Sequence, residues 1–367
     1  MTQGKRSIIW AIGLAALLLA LYALSEVLLP FVAGMALAYL LDPVVDRSEK
    51  MGLSRTAGTV FVLILATVLA IGAFLLLVPV VHAQLLLLIE ALPSYIARLE
   101  AFARPLMEHV RDQAGENGLE GASGMIGQAV AWAGKVLGRL ISGGAALANL
   151  ASLLFITPIV AFYLLRDWDR MVETIDGWLP LAQAESIREQ VGKIDRTLAA
   201  FVRGQGMVCL ILGIFYGVSL SLSGLQFGLV IGIFSGLISF VPFVGALMGG
   251  ILSIGLAFLQ FDAWTSVAVV AGIYAVGQIL EGNVLTPNLV GGAVDLHPVW
   301  IIFALLAGGA MFGFVGVLIA VPVAAVAGVL ARFGLERYLD SPLHRHGIPP
   351  SDDVDERGAG PNSPSGK

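Results

Sequence analysis

Charge is scarce in this chain of 367 residues: 13% are Asp, Glu, Lys or Arg, against ~25% in a soluble globular domain. With 57% hydrophobic residues and a mean hydropathy of +0.88, that shortage excludes a soluble protein and assigns an all-α integral membrane protein. Cysteine is nearly absent. The single Cys209 excludes an intramolecular disulfide and a thiolate metal centre. It lies in an apolar run and reads as packing against lipid or a neighbouring helix. A net charge of -5 gives no basic footprint, so no nucleic-acid partner is expected. Catalytic signatures are missing too. There is no H-E-x-x-H, no G-x-x-x-x-G-K-[ST] phosphate loop and no G-x-S-x-G elbow. The chain reads as no enzyme, with no cofactor, no metal and no ATP drive of its own. An ATPase partner subunit stays open.

What is present are apolar runs, and they order the chain. The first, about 8–24, follows the basic "GKR" and imitates a secretory signal. A second run, 27–41, follows at once, so the first reads as an uncleaved span with Lys5 and Arg6 on the cytoplasmic side. The loop "DPVVDRSEKMGLSR" carries Arg47, Lys50 and Arg55, as a cytoplasmic loop should. A third span, 57–78, leads outward to Pro79. A fourth, 146–165, returns to Arg166 and Arg170. The segment between them falls outside. Its stripe of Leu92, Ile96, Leu99, Leu106 and Val110 predicts an amphipathic helix, and a second starts near Met125. Inside, Ile187, Val191, Ile194, Leu198 and Phe201 form another stripe among charged residues, expected in the membrane interface.

Five segments result. Residues 1–80 hold three transmembrane helices and 81–145 the outer insert. Residues 146–205 hold the fourth span and the inner amphipathic helix. Residues 206–338 form a glycine-rich core, and 339–367 a polar tail with the composition of a disordered segment. About 6–8 transmembrane segments are expected. The membrane is expected to be crossed several times, with both termini cytoplasmic. Membrane lipid is the first partner.

After Arg203 no Lys or Arg occurs until Arg332, and 21 of the 44 glycines fall in 206–331. Small residues let helices approach where lipid supplies no hydrophobic drive. Gly224, Gly228, Gly232 and Gly236 stand four apart, along one predicted helix face. Two apolar stretches, 228–259 and 299–331, are too short for two crossings of ~20 residues each and long for one. Each is interrupted, by "VPFVG" with Pro242 and by "GGAMFGFVG". They read as re-entrant hairpins, or as tilted, broken single helices. Irregular backbone at membrane depth requires burial or water, and paired interrupted segments point to a transporter's binding site.

Between these stretches lies "EGNVLTPNLVGG", residues 281–292. Glu281 ends an apolar run, where an ionised group at mid-bilayer costs ~2.5–3.5 kcal/mol. Gln278 precedes it by one turn. Asn283, Thr286 and Asn288 supply neutral donors and acceptors, and Pro287 is expected to end the helix and free carbonyls. One reading is a polar site for a small hydroxylated solute, Na⁺ or H⁺. The other is an interfacial loop capping a helix. Asp295 and His297 could relay a proton, but Asp295 fits better as a cap before Pro298. Asp262, beside Trp264, reads as a cap as well, and His82 as interfacial.

"VPFVGALMGG", "LEGNVLTPNLVG", "LHPVWIIFALLAGG" and "GFVGVLIAVPVAA" resemble, in order, the signature blocks of the autoinducer-2 exporter family of bacterial membrane proteins. The likeness covers nearly the whole chain, and "EGNVLTPNLVG" is its most distinctive part. The resemblance implies a secondary transporter exporting a small polar organic solute, such as a signalling molecule of the autoinducer-2 type. It implies an elevator-like core and a homo-oligomer, with a pentamer one form it could take. Where the family's motif has Lys or Arg between the proline and "VG", this chain has Asn288, which takes a cation out of the site. Two other functions stay open: a cation–proton antiporter moving a monovalent cation through Glu281, and a non-transporting membrane scaffold.

Overall fold

The computed structural model describes residues 23–114, 144–294 and 296–339, with Gly13 standing alone before them. The expected first span, the second outer helix near Met125, Asp295 and the polar tail lie outside the described residues. All elements among the described residues are helical: α1 (Ser25–Lys50), α2 (Arg55–Ala114), α3 (Gly144–Asp176), α4 (Ala184–Leu222), α5 (Gly228–Ile238), α6 (Val244–Gln260), α7 (Trp264–Leu280) and α8 (Pro298–Leu339). A π-helical segment, Glu281–Val290, and a short 3₁₀ turn, Gly291–Ala293, join α7 to α8. Five of the described helices are long and apolar enough to cross a membrane: Val27–Lys50, Arg55–Arg98, Ala184–Leu222, Trp264–Val290 and Pro298–Leu339. The chain is a multi-pass, all-α membrane protein.

Several expected breaks are absent. The loop read at 42–55 is helical as far as Lys50, through Pro43, and only Met51–Ser54 turn the chain. The third span does not stop at Pro79, because α2 runs unbroken to Ala114. In an apolar surrounding, backbone groups have no water to turn to, so helices tolerate proline where soluble ones would break. The inner stripe at 187–201 is no separate interfacial helix. It is the first half of α4, continuous with the apolar run that follows.

Two buried clusters divide the molecule. Ala38, Val45, Val62, Leu63, Ala161 and Leu165 hold α1, α2 and α3 together. Around α4 a larger cluster gathers α7, α8, the π-helical segment and the hairpin described next, with Leu212, Tyr216 and Leu220 fully enclosed.

Glycines set how close these elements come. A Cβ on Gly228 would strike the backbone of Leu220 and Ser221, one on Gly232 that of Gly217, and one on Gly236 that of Gly213. The four-residue spacing therefore lies flat against α4. Gly224 is not part of this ridge. It sits in the turn after α4 at φ 80°, a conformation that glycine adopts without strain.

Helices α5 and α6 form a tight antiparallel hairpin, with Gly245 against Ser239 and Gly249 against Ser235. Eleven residues give α5 a length of ~17 Å, about half the ~30 Å of a bilayer's hydrocarbon core. The reversal at 239–243 leaves Phe243 at φ 67°, a conformation that costs ~1–3 kcal/mol for a residue with a side chain. Helix α8 turns back as well. Gly313 has φ 58° and ψ -137°, and the backbones of Gly308 and Gly316 face each other across the turn.

Candidate functional site

In the apolar half of the molecule a connected polar group begins at Glu281. Tyr274, Gln278 and Glu281 follow at steps of four and three, so α7 presents them on one face. The Gln278 Nε2 amide donates to Glu281 Oε2 at 3.1 Å and to the Tyr216 hydroxyl of α4 at 3.2 Å. The Tyr216 hydroxyl in turn donates to the Tyr274 carbonyl at 3.4 Å. The two tyrosine rings stack, with centroids 4.9 Å apart and planes 14° from parallel. The Tyr274 hydroxyl reaches the first turn of α6, its one hydrogen shared between the carbonyls of Gly245 at 2.9 Å and Ala246 at 2.8 Å. Helices α4, α6 and α7 thus meet at one hydrogen-bonded centre, with the half-buried Glu281 carboxylate at its edge. The stretch 204–331 around it holds no Lys or Arg.

Of the residues singled out in the sequence, the structure joins Gln278 and Glu281. Asn283, Thr286, Pro287 and Asn288 stay on the exposed side of the π-helical segment, and the Asn288 Nδ2 amide donates to the Val284 carbonyl at 2.8 Å. Pro287 does not end the helix. The wider π turn carries the chain past it to Val290, and Gly291 at φ 59° closes the segment. Pro242 lies half-buried at the reversal of the α5–α6 hairpin, between buried Val241 and exposed Phe243. Near that reversal the buried Gln205 side chain of α4 donates to the Ser239 carbonyl. Pro298 opens α8, and the Val299 amide donates to His297 Nδ1 at 3.4 Å, so a ring nitrogen stands where a cap is needed. Asp262 caps nothing. It pairs with Arg98 of α2 at 3.2 Å, while Arg98 also donates to the last carbonyls of α6.

Sequence reasoning missed Tyr216, Tyr274 and Gln205. A tyrosine inside an apolar run carries a hydroxyl that must find a partner when buried, and that was the available signal.

A second polar region closes the far end of the α1–α3 half. The Arg55 guanidinium lies 3.1 Å from Asp169, 3.3 Å from Glu49, 3.5 Å from Asp42 and 3.6 Å from Asp46, and donates to the Leu165 carbonyl at 3.0 Å. Arg203 of α4 joins it, donating to the Tyr39 carbonyl at 2.7 Å and to Asp42 at 3.1 Å. The Tyr39 hydroxyl donates to Asp195 at 3.0 Å. A cavity of 360 Å³ opens among these groups. Their charges pair with one another across α1, α2, α3 and α4, which makes this a fastening between helices. Among the described residues no three His, Cys, Asp or Glu side chains gather as metal ligands.

The family model for AI-2E family transporters matches residues 11–335. The provisionally named transport protein YrrI of Bacillus subtilis (strain 168) is 29% identical over 308 residues, which are 84% of this chain and 86% of that relative. PerM of Escherichia coli (strain K12), provisionally named a permease, is 28% identical over 323 residues, covering 86% of this chain and 91% of the relative. YueF of Bacillus subtilis, a further provisionally named transport protein, is 25% identical over 314 residues, 83% of each chain.

Proposed function

We propose, from the premise that this chain belongs to the AI-2E transporter family, that it is a secondary transporter exporting a small polar organic solute of the autoinducer-2 type. The observation that carries this reading is Glu281, a carboxylate held by Gln278 inside a stretch, 204–331, that has no Lys or Arg, between two helices that reverse direction. A membrane protein keeps an ionisable group in such a place when the group works on something that passes. The hairpin reversals then act as re-entrant gates from opposite faces. Arg47, Lys50, Arg55, Arg166 and Arg203 cluster at one end, which is the cytoplasmic end by the positive-inside rule. On this topology both termini and the π-helical segment face the cytoplasm of a bacterial inner membrane.

The glycine-rich half moves against the α1–α3 half, elevator-like, within a homo-oligomer, a pentamer being one form. A second reading takes the same carboxylate as the coupling group of a cation–proton antiporter, favoured by the absence of any cation in 204–331. A scaffold without transport has no use for Glu281.

Efflux from loaded proteoliposomes tests all three, with autoinducer-2 inside and a Na⁺ or H⁺ gradient imposed. Wild-type protein exports the solute, Glu281→Gln abolishes export and elutes normally on gel filtration, and Asp262→Asn exports nearly as wild type. Cation-dependent proton movement without solute efflux selects the antiporter. Wild-type efflux from Glu281→Gln sinks the role of Glu281.

A further inference from the structure

Tyr216 and Tyr274 are buried in helices of otherwise apolar run, at 0% and 6% exposure. A buried hydroxyl needs a partner, yet one hydrogen bond each would satisfy that need. These two tyrosines do more. They lie in series between Glu281 and the reversal of the α5–α6 hairpin, and each link in the series has a direction.

Gln278 Nε2 carries two hydrogens, and both are used, one on Glu281 and one on the Tyr216 hydroxyl. A carboxylate only accepts, and the Tyr216 hydroxyl has given its own hydrogen to the Tyr274 carbonyl, so both take the amide nitrogen, and Tyr216 helps hold that nitrogen toward the carboxylate. Without that hydroxyl nothing on α4 holds Gln278 in this orientation. The rings of Tyr216 and Tyr274 are stacked, so one cannot swing without the other. The single Tyr274 hydroxyl hydrogen is then shared by two carbonyls of the first turn of α6, within three residues of the strained Phe243.

Two glycines clear the path. A Cβ at Gly277 would collide with the Tyr216 hydroxyl, and one at Gly249 would come within 2.6 Å of the Tyr274 hydroxyl. Both positions are inside helices, where glycine costs ~1 kcal/mol relative to alanine.

We infer that Tyr216 is a positioning residue for Glu281 and that the Tyr216–Tyr274 pair transmits the state of Glu281 to the hairpin reversal. The inference rests on Glu281 as the working group of the site. A change of charge or occupancy at the carboxylate alters its bond from Gln278, turns the amide, shifts the ring pair and loosens or tightens the hold on Gly245 and Ala246. Each step is a contact between named groups, which is the physical requirement for coupling between sites.

Hydrogen–deuterium exchange of residues 244–253, read by mass spectrometry on the full chain in lipid nanodiscs, measures the far end of this series without any knowledge of the solute. Neutralising the carboxylate with Glu281→Gln should change exchange there by on the order of 3-fold or more. In a Tyr274→Phe background the same neutralisation should change nothing. Gly277→Ala should uncouple the two ends in the same way by pushing Tyr216 off Gln278, with no atom of Tyr274 removed. Where Tyr274→Phe does not elute as folded protein, Tyr216→Phe replaces it. An equal response to Glu281→Gln with and without the tyrosine hydroxyls overturns the inference, as does no response in the wild-type background. Efflux measured on the same proteins keeps the two readings apart. Wild-type efflux from Glu281→Gln removes the transport role, whereas loss of efflux with no exchange response removes the linkage alone.

Discussion

Between Asp42 and Asp169 the α1–α3 half closes one of its ends with charge, gathering four carboxylates around Arg55. The half that begins at α4 has no Lys or Arg from 204 to 331 with which to do the same. It uses shape. Backbone meets backbone where Gly228, Gly232 and Gly236 lie on α4, and where Gly308 faces Gly316 across the turn of α8. The polar contacts around Tyr216 and Tyr274 run through neutral hydroxyls, amides and carbonyls and end at Glu281. The difference teaches where each half can be altered. A charged end is held by long side chains that can rearrange and that water partly reaches. A glycine seam between backbones has nowhere to move. It also leaves the Glu281 carboxyl in a stretch with no Lys or Arg from 204 to 331, a setting that suits a site for a polar passenger.

The largest effect should come from breaking the seam. Gly232→Leu drives a side chain into the backbone of Gly217 and parts α4 from α5, at about 3 kcal/mol or more. Folded protein should be lost, as judged by size-exclusion chromatography. Gly58→Ala is the matching change in the other half. There the new Cβ meets the Ser48 Cβ at 3.2 Å, a contact relieved by a few tenths of an ångström, and the helix gains up to ~1 kcal/mol of propensity. That variant should melt within a few degrees of wild type. Similar losses from the two substitutions would show that the halves do not differ in how they are packed.

A smaller effect is expected at the charged end. Arg55→Met leaves Asp42, Asp46, Glu49 and Asp169 without their shared cation, and Arg203 reaches only Asp42. The Arg55 side chain is 23% exposed and its partners more so, so screening limits the loss to about 1–3 kcal/mol. Thermal unfolding in detergent measures it, and added salt should narrow the gap by screening the orphaned carboxylates. A gap that widens with salt would mean the cluster is held by something other than charge.

How far the sequence went follows the same division. The ridge Gly228, Gly232, Gly236 was legible because a four-residue period puts glycines on one helix face. Gly224 shares the period but not the helix, and only its positive φ separates it. Gln278 and Glu281 were legible as an i, i+3 pair. Tyr216 was not, because its contact with Gln278 spans 62 residues of sequence, and no local period reports such a meeting. Asn283, Thr286 and Asn288 were chosen by chemistry, but a π turn changes which residues share a face, and they came out on the exposed side. At the charged end "DPVVDRSEKMGLSR", with Arg47, Lys50 and Arg55, reads as a loop. The helix passes through it, and the steps of four and three from Asp42 to Asp46 and Glu49 then bring all three carboxylates to Arg55.

The smallest effect lies beyond the cluster, where α3 ends. Arg188 of α4 makes two hydrogen bonds to Asp176, at 2.6 and 2.8 Å, and they hold the Asp176 carboxyl below the usual carboxylate range. The pair is exposed, so its effect on stability is slight. Its sign is nonetheless fixed. A carboxyl whose value is depressed in the folded protein adds stability above its ordinary value of ~3.9, and that contribution fades as the pH falls through the depressed value. Arg188→Ala should therefore melt slightly below wild type at pH 7, by ~1–2 °C. As the pH falls below the ordinary carboxylate range the two melting curves should converge. Export should be unchanged, since neither residue touches the Glu281 centre. A difference that grows on acidification would mean that Arg188 acts through some group other than Asp176, and a loss of export would extend the working part of the molecule to the turn between α3 and α4.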